Sequence, residues 1–336
     1  MWVYIARRLL WLPFLLFVIS AITFALFRIV PGDPVTVMLG DRYNEDVAER
    51  LRKSLDLDKP VVVQYSNYMW GVVRPELHTL PLGGDSGTAI KVPFFRLDFG
   101  ESFRFRGRPV GPLMRSKMWV SFQVNMAGML VAISIGLPLG FWVAHRQGSW
   151  TDPATVAIAV ILASLPIMVT APAIIWLGCL KLDLVPCSGW GGLFDSRMIV
   201  VAIAMGGPGV AGFVRLMRAS TLDVMGQDFI RTARSKGLDE FAIDSRHVLK
   251  NAMIPIVTIL TFSLSGMLTT SFVAERIFGI PGIGSFAIDS LFNRDWPVMM
   301  AMTIILSTIF VLSILAADIA YAYLDPRIRY DGGGRA

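Results

Sequence analysis

Residues 229–238 read FIRTARSKGL, and there Arg231, Thr232, Arg234, Ser235 and Lys236 crowd in front of Gly237. Guanidinium and ammonium groups carry fixed charge and donate hydrogen bonds, and hydroxyls complete such a surface without making a nucleophile–base pair. The chemistry on offer is therefore recognition. A loop whose charges merely set topology explains the Arg and Lys, but not Phe229, Phe241 or Gly237.

Catalytic chemistry is missing from the rest of the chain. No GxxxxGK[ST] motif is present to cradle a nucleotide phosphate. His78, His145 and His247 lie far apart, with no pair at metal-ligand spacing. There is no GxSxG and no Cys–His neighbourhood. Cys179 and Cys187 fall near the outer end of the third apolar run and are read as two unpaired cysteines rather than a disulfide. Ion-coupled transporters carry acids or His buried at mid-membrane. The nearest candidate is Asp318, at the inner end of the last run, and it is read as structural. No metal, cofactor or catalytic residue is expected of this chain.

The elements that must position the loop are membrane spans. Hydrophobic residues make up 54% of the 336 and charged residues only 17%, against about 25% charge in a soluble domain; mean hydropathy is +0.59. Six uncharged runs lie between Arg8 and Arg28, Lys117 and His145, Asp152 and Lys181, Arg197 and Arg215, Lys250 and Glu275, and Asp295 and Asp318. Most exceed the roughly 18–20 residues a helix needs to cross about 30 Å of hydrocarbon. The first run has the length of a full span and no small-x-small cleavage site after it, so it is read as an uncleaved first span rather than a signal peptide.

Lys and Arg in the short loops set the orientation. Arg7, Arg8 and Arg146, the run from Arg215 to Lys250, and the tail with Arg327, Arg329 and Arg335 mark one side as cytoplasmic, with both termini. Residues 31–117 are long enough to escape the charge rule and are placed outside. The net charge of +6 is thus a topology signal, and its spread over both membrane faces argues against nucleic acid as a partner. The expected divisions are 1–30, first span; 31–117, outer segment; 118–325, a five-helix core with the basic loop at about 215–252; and 326–336, tail.

Within the outer segment, Asn44 caps an expected helix over 44–57 with Val47, Leu51 and Leu55 on one face. A second helix or surface-lying segment follows Pro60. Residues 75–89, PELHTLPLGGDSGTA, are punctuated by Pro and Gly and are expected to be loop. In the basic loop, Phe229 and Ala233 share a helical face, as do Ile230 and Arg234. Gly237 stops that helix in a left-handed conformation. Asp239 caps the next, with Phe241 and Ala242 on its inner side. Gly206, Gly207, Pro208 and Gly209 fall in the middle of the fourth span, where a kink is expected; hinge and close helix packing are equal readings. Pro166 and Pro172 pose the same question in the third span.

The stretch 215–257 resembles the cytoplasmic signature loop, the "EAA" loop, of inner-membrane subunits of ATP-binding-cassette importers. Arg231, Thr232 and Ala233 occupy the Glu-Ala-Ala positions, Gly237 is the glycine that follows them, and Pro255 comes about five residues later than the general consensus proline. That spacing and the wording RTARxKGL resemble the dipeptide/oligopeptide/nickel branch, where Arg in place of Glu is usual. RRLLWLPFLL with PGDP, LDLDKPVVVQY, LDFGESF, ERIFGIPGIG and YLDPRIRY are similar to the branch in the same order. Residues 74–96 look like an insertion.

The resemblance implies an all-α bundle of six spans with the type I importer permease fold. It implies half of a translocation pore shared with a second, similar permease subunit, two ATPase subunits below, and an extracytoplasmic solute-binding protein. ATP and Mg would be held by the partner subunits and none by this chain. Phe229, Arg231, Thr232, Ala233, Arg234, Lys236, Gly237, Leu238 and Phe241 would form the docking loop. The solute stays open among dipeptides, oligopeptides, nickel complexes and saccharides, with peptides first. An ion-coupled transporter or channel is the alternative, and a membrane-embedded enzyme a more distant one.

Overall fold

The computed structural model describes residues 2–29, 33–40, 43–73, 75–81, 89–95, 98–105, 107–183, 185–186, 188–266 and 271–324. The chain divides into two units, one built on Met118–Ser285 and one on Ala6–Lys117 with Phe286–Thr308.

The second unit opens with α1 (Trp2–Ile29), apolar along its length. The PGDP that follows has a local explanation. Asp33 caps α2 (Pro34–Leu39) by accepting from the Val35 N–H, with Pro34 at the first helical position, where its missing donor costs nothing. Arg52 of α3 (Glu45–Ser54) donates from Nε and a terminal nitrogen to Asp33 Oδ2 at 2.9 and 2.6 Å. Asn44 caps α3 as expected, accepting from Asp46 N–H. The buried face differs from the expected one. Ala48 is fully buried, Leu51 and Leu55 are half-buried, and Val47 is 46% exposed. Ala48, Leu51 and Leu55 stand at i, i+3 and i+7 on one helical face, and Val47 falls at its edge. After α4 (Val61–Val73) comes the main departure: residues 75–81, expected to be loop, form strand β1 (Pro75–Pro81), which pairs antiparallel with β2 (Ala89–Phe95), Pro75 opposite Phe95. In a two-stranded ribbon both strands are edges, so proline is tolerated. The intervening residues 82–88 lie outside the described ones.

Asp295 is fully buried and holds residues 102–104 to the start of α14 (Trp296–Leu324). It accepts from the Ser102 hydroxyl and from the N–H groups of Phe103 (3.0 Å) and Arg104 (3.3 Å). A buried carboxylate is tolerable only with such donors.

The first unit is helical. Its elements are α5 (Val110–His145), α6 (Thr151–Ser164), α7 (Ile167–Ile174) continuing as a π-helical turn through Lys181, and α8 (Arg197–Met225). Then come α9 (Asp228–Ser235), α10 (Glu240–Ile243), α11 (Leu249–Gly266), α12 (Phe272–Phe278) and the first turn of α13 (Ile283–Phe292), the rest of which belongs to the second unit. Among the described residues four helices have the length and apolarity to cross a membrane: α1, α5, α8 and α14. The pair α6 and α7 is bent by 102° and brings the number to five if taken as one span. Pro166 causes that break, since it lacks a donor and pushes Leu165 to extended backbone. The expected span between Lys250 and Glu275 corresponds to α11, whose continuation at 267–270 lies outside the described residues. Glu275 itself belongs to the separate helix α12. Cys179 is buried in the turn after α7; Cys187 is not among the described residues.

The core of this unit is built on α5 against α8. Gly128, Gly136 and Gly140 face α8, and a β-carbon on Gly140 would lie 2.6 Å from the Val214 carbonyl. From the other side, one on Gly206 would lie 2.6 Å from the Gly128 carbonyl and one on Gly209 2.8 Å from Ala132 Cβ. The GGPG stretch, where a kink was expected, sits within a continuous α8 and packs closely through Gly206 and Gly209.

Candidate docking loop

The loop between α8 and α11 is anchored by one apolar cluster. Ile230, Ala233, Ile243 and Val248 are buried together against Phe141 at the end of α5 and against Val224 and Met225 at the end of α8. Two expectations about its faces change here. On α9 the buried pair is Ile230 with Ala233, and Phe229 is 43% exposed. On α10 it is Ile243 that points inward, while Phe241 is 80% exposed. A four-residue helix has no periodicity to read, and the buried position falls where the chain turns back toward α11.

The turn between α9 and α10 is a Schellman motif. Leu238 N–H donates to the Ala233 carbonyl at 3.4 Å and Gly237 N–H to Arg234 at 2.9 Å. Gly237 has φ 72°, the left-handed conformation expected of it. Asp239 caps α10 by accepting from Phe241 N–H. Arg234 then bridges the turn, donating to both oxygens of Glu240 at 2.9 and 3.3 Å. The Glu240 carboxylate raises the Arg234 guanidinium further above its ordinary value. Arg231 pairs loosely with Asp228 at 3.6 Å, both strongly exposed, and Thr232 donates to the Asp228 carbonyl at 3.0 Å.

The loop therefore presents Phe229, Leu238 (45% exposed), Phe241 and the Arg231 head on one short helical pair, while Lys236 closes α9 beside Gly237. Burying aliphatic and aromatic surface of this kind is favourable at roughly 25 cal/mol per Å², and clustered apolar groups rimmed by charge mark contact surfaces. Further ties fix the helix ends around the loop, and one of them, His145 with Asp244, reaches the loop itself. Arg218 on α8 donates to both oxygens of the buried Asp152 of α6 at 2.5 and 2.7 Å. Both nitrogens of His145 face acceptors, Asp244 Oδ2 at 2.9 Å and the Phe141 carbonyl at 3.0 Å. Ser220 donates to the Ala252 carbonyl at 2.8 Å. No sequence spacing links Arg218 to Asp152, 66 residues away, so the pair is visible only in the fold.

Residues 136–330 match the family described as binding-protein-dependent transport system inner membrane component. The chain belongs to that family. The companion description for the N-terminal part of such membrane components matches residues 1–82. Members are membrane permeases, and this chain is a multi-pass permease of the ABC importer class. It is 32% identical over 326 residues to the dipeptide transport system permease protein DppB of Bacillus subtilis, covering 97% of each chain. Against DppB of Escherichia coli it is 32% identical over 344 residues, covering 93% of this chain and 94% of that one. Among solved structures, the inward-facing MetNI methionine ABC transporter matches with a TM-score of 0.51 at 18% identity, over 63% of this chain and 96% of its own. That likeness shows the permease fold.

Proposed function

We propose that this chain forms half of a translocation pore for dipeptides or short oligopeptides, paired with a second homologous permease. In this reading two ATPase subunits dock on the loop at 215–252, bind the ATP and Mg, and move it, while an extracytoplasmic binding protein delivers the solute. The observation that carries the reading is near-full-length similarity to dipeptide permeases together with the exposed Phe229, Leu238 and Phe241 on a rigidly anchored loop. The test is uptake of a radiolabelled dipeptide into proteoliposomes holding this chain with its neighbouring-gene permease, ATPases and binding protein. Uptake is expected only with ATP inside. Dipeptide flux through this chain alone without ATP would overturn the importer reading, and ATP-driven uptake of a saccharide in place of the dipeptide would replace the solute class.

In the same reading both termini and the loop are cytoplasmic and residues 31–117 are outside. A cysteine placed at Asp58, which is exposed, is expected to react with an impermeant maleimide in intact cells. A tag after Ala336 is expected to stay inaccessible until the cells are opened. The opposite pair of results would reverse the orientation.

A further inference from the structure

The motif ERIFGIPGIG takes no part in the docking loop, and its glycines are explained by one side chain. Glu275 on α12 is fully buried. Its Oε1 accepts from the hydroxyls of Ser121 and Ser271, each at 2.5 Å, and its Oε2 from the N–H groups of Gly284 and Ser285 at 2.8 and 3.0 Å. Ser121 Oγ at the same time accepts from Ile283 N–H at 2.7 Å, so its proton is committed to the carboxylate. The donors come from three places: α5, the residue ahead of α12, and the first turn of α13, where the unpaired N–H groups and helix dipole favour an anion.

The chain reverses between α12 and α13 to make this cradle. Gly279 takes φ 67°, and Gly282 is where a β-carbon would run into the Glu275 carboxylate. At Gly284 a β-carbon would meet the Phe272 backbone. The reversed hairpin is too short to span. It packs Ala274, Phe278 and Ile280 into the cluster formed by Val124 of α5, Ala171 of α7 and Val201 of α8, and its Phe278 carbonyl accepts from Gly189 N–H in the loop before α8 at 2.9 Å. Removing the carboxylate would leave donors at all three places without this acceptor, which is the expensive way to break such a network.

We infer that Glu275 is a positioning residue: it fixes the α12–α13 hairpin on α5 so that the hairpin forms part of the surface receiving the loaded binding protein. This rests on the orientation and partner set proposed above, which put residues 272–285 on the outer side. The test uses the whole importer in nanodiscs and reads ATPase rate against concentration of loaded binding protein. Glu275→Gln keeps the volume but cannot accept from all four donors, and Ser121→Ala removes one of them. Both variants are expected to raise the half-saturating concentration fivefold or more while keeping the maximal rate within twofold. The double variant is expected to be no worse than Glu275→Gln, since the two groups act as one unit. Amide exchange over 278–292 is expected to quicken at least tenfold in each variant. A lower maximal rate with unchanged half-saturation would mean a loss of folded protein only and would overturn the inference, as would wild-type curves from both variants. If Glu275→Gln does not insert, the Ser121→Ala curve decides. Absence of stimulation in the wild type would instead strike the proposed function.

Discussion

Gly237→Val is expected to leave the permease inserted in the membrane at near-normal levels while abolishing transport. Gly237 has φ 72° and nothing within 4 Å of where a β-carbon would stand, so the cost is conformational and not a clash. Alanine in that conformation would cost about 1 kcal/mol, and a β-branched residue more. The chain can avoid the cost by abandoning the Schellman turn. That change stays local, because Ile230, Ala233, Ile243 and Val248 still hold the two helices to α5 and α8. Between those anchors, however, Phe229, Leu238 and Phe241 would be re-aimed by ångströms, and the Arg234–Glu240 bridge across the turn would be lost. ATPase activity of the assembled importer should then cease to respond to loaded binding protein. Arg231→Ala should give a milder defect, since Arg231 and its partner Asp228 are solvent-exposed and such a pair is worth little. The measurement is stimulated ATPase in nanodiscs for wild type, Gly237→Val and Arg231→Ala. Normal stimulation in Gly237→Val would show that the loop does not carry coupling.

What could be read from the sequence follows the range of the interactions. The glycine turn, the Asp239 and Asn44 caps and the apolar runs each depend on residues within a few positions, and sequence spacing exposes them. Glu275 does not. One of its hydroxyl donors, Ser121, is 154 residues away, and at the edge of an apolar run the acid looks like an ordinary span boundary. The glycines of IFGIPGIG were the available signal, since glycine spacing just beyond an acid leaves room for its carboxylate and bare N–H groups to bind it. Phe241 was misplaced for the opposite reason: α10 spans only Glu240–Ile243, too short for any face to be periodic. Strand β1 was hidden by Pro75 and Pro81, which punctuate a sequence like a loop yet are harmless on an edge strand.

Neighbouring glycines on α8 are expected to respond in opposite ways, and the contrast separates the two readings of GGPG. A methyl group on Gly206 would stand 2.6 Å from the Gly128 carbonyl oxygen and 2.9 Å from Val131 Cβ. Those are backbone and near-backbone atoms that cannot swing aside, so α5 and α8 must part. Overpacking of this kind costs about 1–3 kcal/mol, and in lipid the close approach of small residues is itself the main attraction between helices. Gly207, one position along, has nothing within 4 Å. Alanine there removes a helix-interior glycine and is worth up to about 1 kcal/mol in the favourable direction. Gly206→Ala should therefore lower the yield of monodisperse protein and its thermal midpoint, with Gly207→Ala at or above wild type and fully active. If GGPG acted as a hinge, both substitutions would stiffen it alike, and transport would fall in both while yield and midpoint held. Size-exclusion profiles, thermal midpoints and dipeptide uptake for the two variants side by side decide the matter. Equal loss of uptake with unchanged stability would refute the packing account.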